Sequence, residues 1–542
     1  MAQFPPAPYD VAFKQIEIDD AWYSNDVERI AQWQGNPTHF RNGQPYVGGL
    51  QGAVSTGLFG TPQNGENRSA LSIPVAGDLA QLSADLLFAE APSITLPDSS
   101  GKDAKPERKA AQERLELIVS SDAAHAELLR AGEYAAAHGG AYLTAVWDKT
   151  FREHVWFRAF RLDCVIPEWR YGELSGATAW TDHVKTDDTY RLFEKHAPGS
   201  ITYSLWKGTS ATQGNQVPLD TITETAHYLS LIDVVDASVL PMAATLDVVV
   251  RTGVPWLTVE YFPNMMPHPM WDKKGDLANL GRSDFFGLQP LFARINTLWG
   301  SLMRDFDNGM GRLTVPESYL KLNGRGQQAS VDLGRQVYSP VGGLVDDGKG
   351  GSITISQFNI RVKEHIDAIQ ELKREIAQSA GYSVSHFGIK DDGGLKTATE
   401  VNDDRTDSER TRDKKALYVR PALARLARTA LAIDALVFPG QGGALIMDLP
   451  DIKFAEVSQV SPLVRAQTVQ MLDAAGAVST RTKVVMAQPT LDADDIDTEV
   501  ADIKSERGLG SVPDPTTFTG DDPFAPPSID PNASLQQEDT TP

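Results

Sequence analysis

The sequence predicts an α+β protein whose helical and strand-rich segments are kept apart along the chain. Three observations predict it. Apolar residues recur at helical spacing in 73–140 and again in 283–309;. Between these stretches, runs rich in Tyr, Trp, Phe, Val and Thr alternate with turn residues;. A Gly-rich segment at 310–357 then separates two amphipathic stripes, and the chain beyond it is helical to about 508.

Taken in order, "DAWYSNDVERIAQWQ" (20–34) reads as a helix with Trp22, Ile30 and Trp33 as its apolar contacts, followed by a Gly- and Asn-rich loop to about 68. "SIPVAGDLAQLSADLLF" is a clearer helix, with Pro74 suited to its first turn and Val75, Leu79, Leu82 and Leu86 on one face;. "PERKAAQERLELIVSSDAAHAELLRAGEYAAAHGG" is helical until Gly139 and Gly140 stop it;. "AYLTAVWD", "VWFRAFRLDCVIPEW", "ATAWTDHV", "TYRLFEKH" and "SITYSLWKG" are antiparallel strands, and "VPWLTVEYF" (254–262) is another;. In "PNMMPHPMW", His268 among methionines could suggest a soft metal site. The expectation is instead a loop packing Met265, Met266 and Met270 against core;.

From 283, with Ser283 or Asp284 as N-cap, Leu288, Leu291, Ile295, Leu298, Leu302 and Phe306 make one stripe that Gly309 and Gly311 end;. About 25 residues at this rise make a rod of roughly 37 Å. Nine glycines from Gly311 to Gly351, among short strands such as "RLTVPESYLKL", "RQVYSPV" and "GSITIS", mark a small β-rich insertion. "NIRVKEHIDAIQELKREIAQSAG" is the second amphipathic helix, through Val362, Ile366, Ile369, Leu372 and Ile376. After a loop, 397–436 is helical, polar in its first half and amphipathic in its second through Leu423, Leu426, Ala430 and Ile433; Pro421 predicts a kink;. "SPLVRAQTVQMLDAAG" and "DADDIDTEVADIKSERG" are the last helices, and 509–542, without Lys or Arg, reads as a disordered tail;.

Composition narrows the function. A formal charge of −22 on 542 residues argues against wrapping nucleic acid through a broad basic face, though not against nucleic acid passing by;. The single Cys164 excludes an intrachain disulfide framework and a multi-Cys metal site, and in a strand it reads as a small buried hydrophobe;. "MAQFPPAPYD" has neither a basic start nor an apolar core, and no run of about 18 apolar residues occurs, so the expectation is a soluble protein made in a cytoplasm, without a membrane partner;. No metalloprotease, nucleophile-elbow or calcium-loop motif is present, and no catalytic residue, metal or cofactor is expected;. "GIKDDGGLKTATEV" (388–401) imitates a phosphate loop, but Gly394 stands where the lysine belongs and Lys396 and Thr397 come two residues late;. By its residues it is a loop between two helices. The polar half-helix "ATEVNDDRTDSERTRDKK" needs something to flank it, and a neighbouring copy of the chain is the economical choice;.

The ordered set "IPVAGDLAQLSADLLF", "GGAYLTAVWD", "CVIPEWRYGELSGATAW", "REIAQSAGYSVSHFGI" and "GGLKTATEVNDDRTDSERTRDKKALYVRPAL" resembles the portal proteins of tailed bacteriophages, over most of 15–507. The resemblance is particularly to those of long-tailed phages with Gram-positive and actinobacterial hosts. The resemblance implies a portal fold assembled as a ring, usually of twelve, at one capsid vertex. It implies a wing at 1–282, stem helices at 283–309 and 358–380, a clip at 310–357, a tunnel loop at 381–396, a kinked helix at 397–436 and a crown at 437–508. Double-stranded DNA would pass through the channel, driven by a separate terminase large subunit. A head–tail adaptor and the major capsid and scaffold proteins would be further partners, with assembly in the host cytoplasm. Lys390, Asp391, Asp392, Gly393, Gly394 and Lys396 would then line the channel, their charges nearly cancelling. Arg312, Lys321, Arg325 and Arg335 would be clip contacts for terminase or adaptor. The other reading is a different virion structural protein, of tail or baseplate. A motor ATPase or nuclease would need a phosphate loop or acidic metal cluster that the sequence lacks.

Overall fold

The computed structural model describes residues 4–33, 72–99, 105–186, 188–229, 247–308, 312–316, 338–341, 354–356, 361–387, 398–454, 462–488 and 493–506. The chain divides into two units, Met1–Val457 and Ser458–Pro542.

The first helical stretch is two helices, α1 (Tyr9–Tyr23) and α2 (Val27–Trp33). Ser24 Oγ donates back to the Asp20 carbonyl (2.7 Å), Asn25 turns the chain at φ 52°, and Asp26 Oδ1 opens α2 by accepting from the amides of Glu28 (3.1 Å) and Arg29 (3.2 Å);. Trp22 and Ile30 are buried, but Trp33, on the last residue of the short α2, is 45% exposed rather than in the core. In α3 (Val75–Phe88) the expected face is inward, with Val75, Leu79 and Leu86 buried. The long helix expected after it breaks into α4 (Pro106–Val119) and α5 (Asp122–His138), because Ser121 accepts from the Ala124 amide (3.3 Å) and starts a new helix;. Gly139 ends α5 at φ 98°, where a Cβ would lie 2.5 Å from the Gly281 carbonyl oxygen;.

β2 (Gly140–Val146) is the centre of an antiparallel sheet with β3 (Trp156–Arg161) and the later β10 (Val259–Pro263). The run read as one strand from 155 to 169 is in fact two strands in different sheets. Arg161 grips Asp163 with two hydrogen bonds (2.9 and 2.8 Å) and Leu162 is buried, which turns the chain at Leu162–Cys164. Cys164 therefore lies in a half-buried turn and not in a strand; burial first, then the Asp163 charge, pushes its thiol up to about 12;. The second sheet runs β4 (Val165–Arg170), β5 (Glu173–Lys185), β6 (Asp188–Ala197), β7 (Ser200–Thr209), β8 (Thr212–Val217), all antiparallel, and an unanticipated β9 (Asp247–Arg251) pairs with β7. β10 begins at Val259, not 254; Pro255 has no N–H to give a ladder. The methionine loop also differs. His268, 5% exposed, takes the buried place, packed on Trp271 and Phe286, while Met270 is 45% exposed. The Met270 amide donates to His268 Nδ1 (3.2 Å), so the turn winds around the ring.

The two amphipathic stripes become α6 (Gln289–Asn308) and α7 (Val362–Ala380), an antiparallel hairpin: Asp305 near the end of α6 meets His365 near the start of α7 at 3.2 Å. Phe292, Ile295, Ile369 and Ile376 are buried in their shared core and Leu302 is buried as well, whereas Phe306 is 42% and Ile366 39% exposed. α6 starts at Gln289, roughly 30 Å long;. Neither expected N-cap caps it, because Ser283 Oγ accepts from the nearby Phe285 amide (2.8 Å) and Asp284 is drawn inward. The insertion carries a three-stranded sheet: β11 (Arg312–Pro316) pairs parallel with β12 (Tyr338–Val341) and antiparallel with β13 (Thr354–Ser356).

The long helix α8 (Ala398–Val437) runs as one element through Pro421. Its second half buries Leu423, Leu426, Ala430 and Ile433 as expected, in a core shared with α4, α5 and β2. Full burial of each leucine or isoleucine contributes about 1.5–3 kcal/mol. β14 (Asp451–Lys453) pairs antiparallel with β1 (Ser93–Thr95), so 438–454 folds with the first unit, although the sequence grouped 437–508 together. In the second unit, α9 (Pro462–Ala474), α10 (Thr480–Ala487) and α11 (Ala493–Glu506) are held by Lys483 on Asp473 and by Arg481 on Asp497 (2.9 Å). Residues 509–542, expected as a disordered tail, lie outside the described residues. Among the described residues no helix is long and apolar enough to cross a membrane.

Candidate functional site

The segment that the sequence singles out, with Lys390, Asp391, Asp392, Gly393, Gly394 and Lys396, lies outside the described residues, as do Lys321, Arg325 and Arg335. Arg312 opens β11, the central strand of the insertion. What the structure describes is the joint on either side of 388–397.

α7 ends at Gly381, φ 83°, and the chain passes through a short turn at Val384–Phe387. Three residues on one face of α8 meet that turn. Ser408 Oγ accepts from the Ser383 amide (2.8 Å) and lies 2.9 Å from His386 Nδ1; Thr411 Oγ1 donates to the Gly381 carbonyl (2.6 Å); Lys415 Nζ donates to Tyr382 OH (2.8 Å). A Cβ at position 381 would sit 2.6 Å from Thr411 Oγ1, so both the left-handed turn and the close approach require glycine;.

Lys415 is the centre of this joint. Its ammonium also donates to Asp284 Oδ2 (2.6 Å) and Ser83 Oγ (2.6 Å), and Tyr382 OH donates to the same Asp284 oxygen (2.8 Å). Asn264 Nδ2 donates to the other oxygen at 2.8 Å. All five residues are buried. Burial pulls the Lys415 ammonium below its usual value against the opposing pull of Asp284, and pushes the Tyr382 phenol well up;. The cluster thus joins α3, the approach to α6, the end of α7 and α8.

A second buried pair holds the other half of α8. Arg114 of α4 binds Asp434 through Nε (2.6 Å) and Nη2 (3.1 Å), and the Val155 amide donates to the same carboxylate (3.0 Å). Their side chains are 8% and 0% exposed;.

These contacts correct one expectation. The described part of the polar half-helix finds its neighbours within its own chain: Ser408, Thr411 and Lys415 are buried against the 381–386 turn and Asp284, while Asp407, Arg410, Asp413 and Lys414 face outward. Sequence reasoning passed over Lys415, Tyr382 and Ser83, and read Asp284 only as a candidate N-cap. A signal was present: Ser408, Thr411, Lys415, Val419, Ala422 and Leu426 follow steps of three and four, so the polar residues continue the buried apolar face. Among the described residues no group of three His, Cys, Asp or Glu side chains is placed to hold a metal ion.

Known proteins place this architecture. The sequence pattern of the family described as phage portal protein, SPP1 Gp6-like, matches residues 109–508. That span takes in the helical hairpin, its β insertion, the long helix and the C-terminal helices, and the chain belongs to this family. It is a portal protein of the head–tail junction of a phage-like virion, and the family is structural rather than enzymatic. This decides against the tail or baseplate alternative. Among solved structures, a chain in the neck of an empty gene transfer agent particle computed with C6 symmetry is 15% identical over 80% of this chain and 92% of that one, with a TM-score of 0.38. One in the native neck computed with C12 symmetry gives 15%, 80%, 91% and 0.37, and one in the native virion 14%, 77%, 90% and 0.37. At such TM-scores these likenesses carry no further conclusion. No curated protein matches the chain.

Proposed function

We propose that the chain forms a ring, of twelve copies as the resemblance implies, at one capsid vertex, and that double-stranded DNA passes through its centre during packaging and ejection. The observation that carries this reading is the family match over 109–508, which covers every element that the resemblance assigns to stem, clip, tunnel loop and crown. The hairpin α6–α7 serves as the stem, the β11–β13 sheet as part of the clip, and 388–396 as the channel-lining part of the loop. Lys390 and Lys396 meet passing phosphates, and Asp391 and Asp392 limit how long each contact lasts. A bore that bound every phosphate strongly would trap the duplex. A chain of net charge −22 suits passage better than capture;.

The clip, with Arg312, Lys321, Arg325 and Arg335, meets the terminase large subunit during packaging and a head–tail adaptor afterwards. Assembly takes place in the host cytoplasm with major capsid and scaffold proteins, for a long-tailed phage of Gram-positive or actinobacterial host type. Electron microscopy of the purified full-length protein, alone and with scaffold, tests the reading. Rings with a central hole are expected. Discrete particles without a hole under both conditions would overturn it.

A further inference from the structure

Opposite charges gather on two helix faces that the fold sets back to back. From Lys414 to Ile433 the chain has five cations and no acid, and from Ser69 to Gly101 it has four acids and no cation. Lys415 Nζ donates to Ser83 Oγ (2.6 Å), so α8 and α3 lie side by side at this level. At about 100° per residue, Asp78, Gln81 and Asp85 lie roughly 160–220° around α3 from Ser83. Arg410, Leu417 and Arg420 lie roughly 140–220° around α8 from Lys415, with Lys414 beside them. The acidic face of α3 and the basic face of α8 therefore look away from each other, on opposite sides of the pair. All of these outward side chains are exposed, Leu417 by 64%.

Local structure does not account for the charges. Lys415 and Arg425 are paired inside the chain, with Asp284 and Glu260. Among the described residues Lys414, Arg420, Asp78 and Asp85 have no side-chain partner. Arg410 meets only the exposed Asp407 (3.3 Å), and Asp413, the acid nearest Leu417 in sequence, is held by Arg412 (3.1 Å). Asp78 suits the first turn of α3, but Asp85 stands in its last turn, where the helix dipole disfavours a carboxylate;. Leu417 leaves a large apolar side chain in water between two cations.

We propose that the α8 face of one copy docks on the α3 face of the next, and that this contact, repeated head to tail, closes the ring. It names the surfaces of the ring proposed above and rests on that reading. Two copies meeting α8 face to α8 face about a two-fold axis would set Lys414 and Arg420 against the same cations. A head-to-tail contact sets them against Asp78 and Asp85 instead. Exposed ion pairs of this kind each add little affinity and are screened by salt. Their effect is to select which faces meet, while the contact takes Leu417 out of water. A duplex would satisfy the α8 cations but leave the α3 carboxylates unpartnered.

Charge exchange in the full-length protein tests the contact, with folding checked by circular dichroism and rings counted by electron microscopy and native mass. Lys414→Glu with Arg420→Glu makes both faces acidic, and Asp78→Lys with Asp85→Lys makes both basic. Each variant alone should lose rings by about tenfold or more. Their equimolar mixture should recover rings of alternating copies, because every acidic α8 face then meets a basic α3 face, and the reverse. A chain with all four substitutions should form rings by itself. Full ring yield from either folded variant alone, or none from the mixture, overturns the contact. Rings intact in Lys414→Glu, Arg420→Glu beside a fall in packaged DNA would assign the α8 face to the duplex, and overturn it too. Where a reversed variant does not fold, the lone cysteine gives a second route: with Cys164→Ser, rings of Gln81→Cys, Leu417→Cys protein should oxidise into covalent ladders of subunits. Rings without ladders overturn the contact. An unsubstituted protein that forms no ring, alone or with scaffold, would instead overturn the ring itself.

Discussion

Asp19 is a carboxyl group buried beside neutral partners only: it is 5% exposed and accepts from Gln289 Nε2 at 2.9 Å. Its neighbour Asp20 differs, with Arg29 (2.9 Å), Arg161 (2.8 Å) and His138 (3.2 Å) around it; burial opposes its ionisation, but these partners outweigh burial and hold it well below the carboxylate range. For Asp19 burial dominates the bonds from Gln289, Ser283 and Gln15, and the group is raised from 3.8 to about 7;. The folded protein therefore holds a proton that the unfolded chain releases. The group's contribution is fully present below about 4 and is lost as pH rises through about 7;. Asp19→Asn should raise stability by on the order of 2 kcal/mol at pH 8, with the gain fading toward pH 4. Denaturation midpoints at several pH values check this, and a gain independent of pH would show that the Asp19 carboxyl titrates in the fold as it does in the unfolded chain. Asp434→Ala acts oppositely. It leaves the Arg114 guanidinium with only the Glu153 carbonyl to bind and the Val155 amide unpaired, and should cost about 3–5 kcal/mol;. Arg114→Leu with Asp434→Leu should cost less, because no charge is then buried without a partner and only the Val155 amide and the Glu153 carbonyl lose theirs; equal losses in urea melts would mean that the pair's charge is not what matters.

At the scale of elements, the proposed function gives different tasks to the segment between α7 and α8 and to the sheet between α6 and α7. Deleting residues 390–395 spares every hydrogen bond described at the Lys415 joint. Rings and procapsids should therefore form while packaged DNA falls or leaks out, read as DNA per capsid beside ring yield on a native gel. Loss of the rings would make the segment a structural joint; normal DNA content and retention would make it a passive connector. In the insertion, Arg312 opens the central strand β11 and Arg335 lies three residues before β12. Reversing both charges should weaken terminase or adaptor binding by tenfold or more, about 1.4 kcal/mol, with rings intact. Pull-down affinities unchanged for both partners would place that interface elsewhere.

For the whole molecule, α11 ends at Glu506, and the Pro-, Asp- and Thr-rich stretch after Gly510 contains no apolar stripe;. Truncation after Gly510 should leave the number of subunits in the ring, read by native mass measurement, unchanged. A shift to monomer in native mass measurement would show that this stretch docks. A ring remains the expectation even though Ser408, Thr411 and Lys415 are satisfied inside one subunit, because the outward face of α8 with Arg410 and Lys414, and the exposed Leu417, stay available to a neighbour;.

By itself the sequence determined the α+β character, the two amphipathic rods, the Gly-rich strand insertion and the family. Each of these is written in local periodicity or in an ordered set of segments, and neither requires knowing what lies across the core. The face of α8 bearing Leu423, Leu426 and Ile433 was legible for that reason. Tertiary structure alone decided where the same face becomes polar yet stays buried. Lys415 and Asp284 are 131 residues apart in sequence, and a lysine on a buried face looks in sequence like one in water until its carboxylate is found. The same holds for the division of 155–169 between two sheets and for the late start of α6. Arg161 and Asp163 are local, but the turn they make is fixed by the sheets on either side; Asp284 could cap a helix by type, and is taken instead by a cation from another part of the chain. Long-range charge pairing overrides local preference because a buried carboxylate without a partner costs more than a lost cap returns.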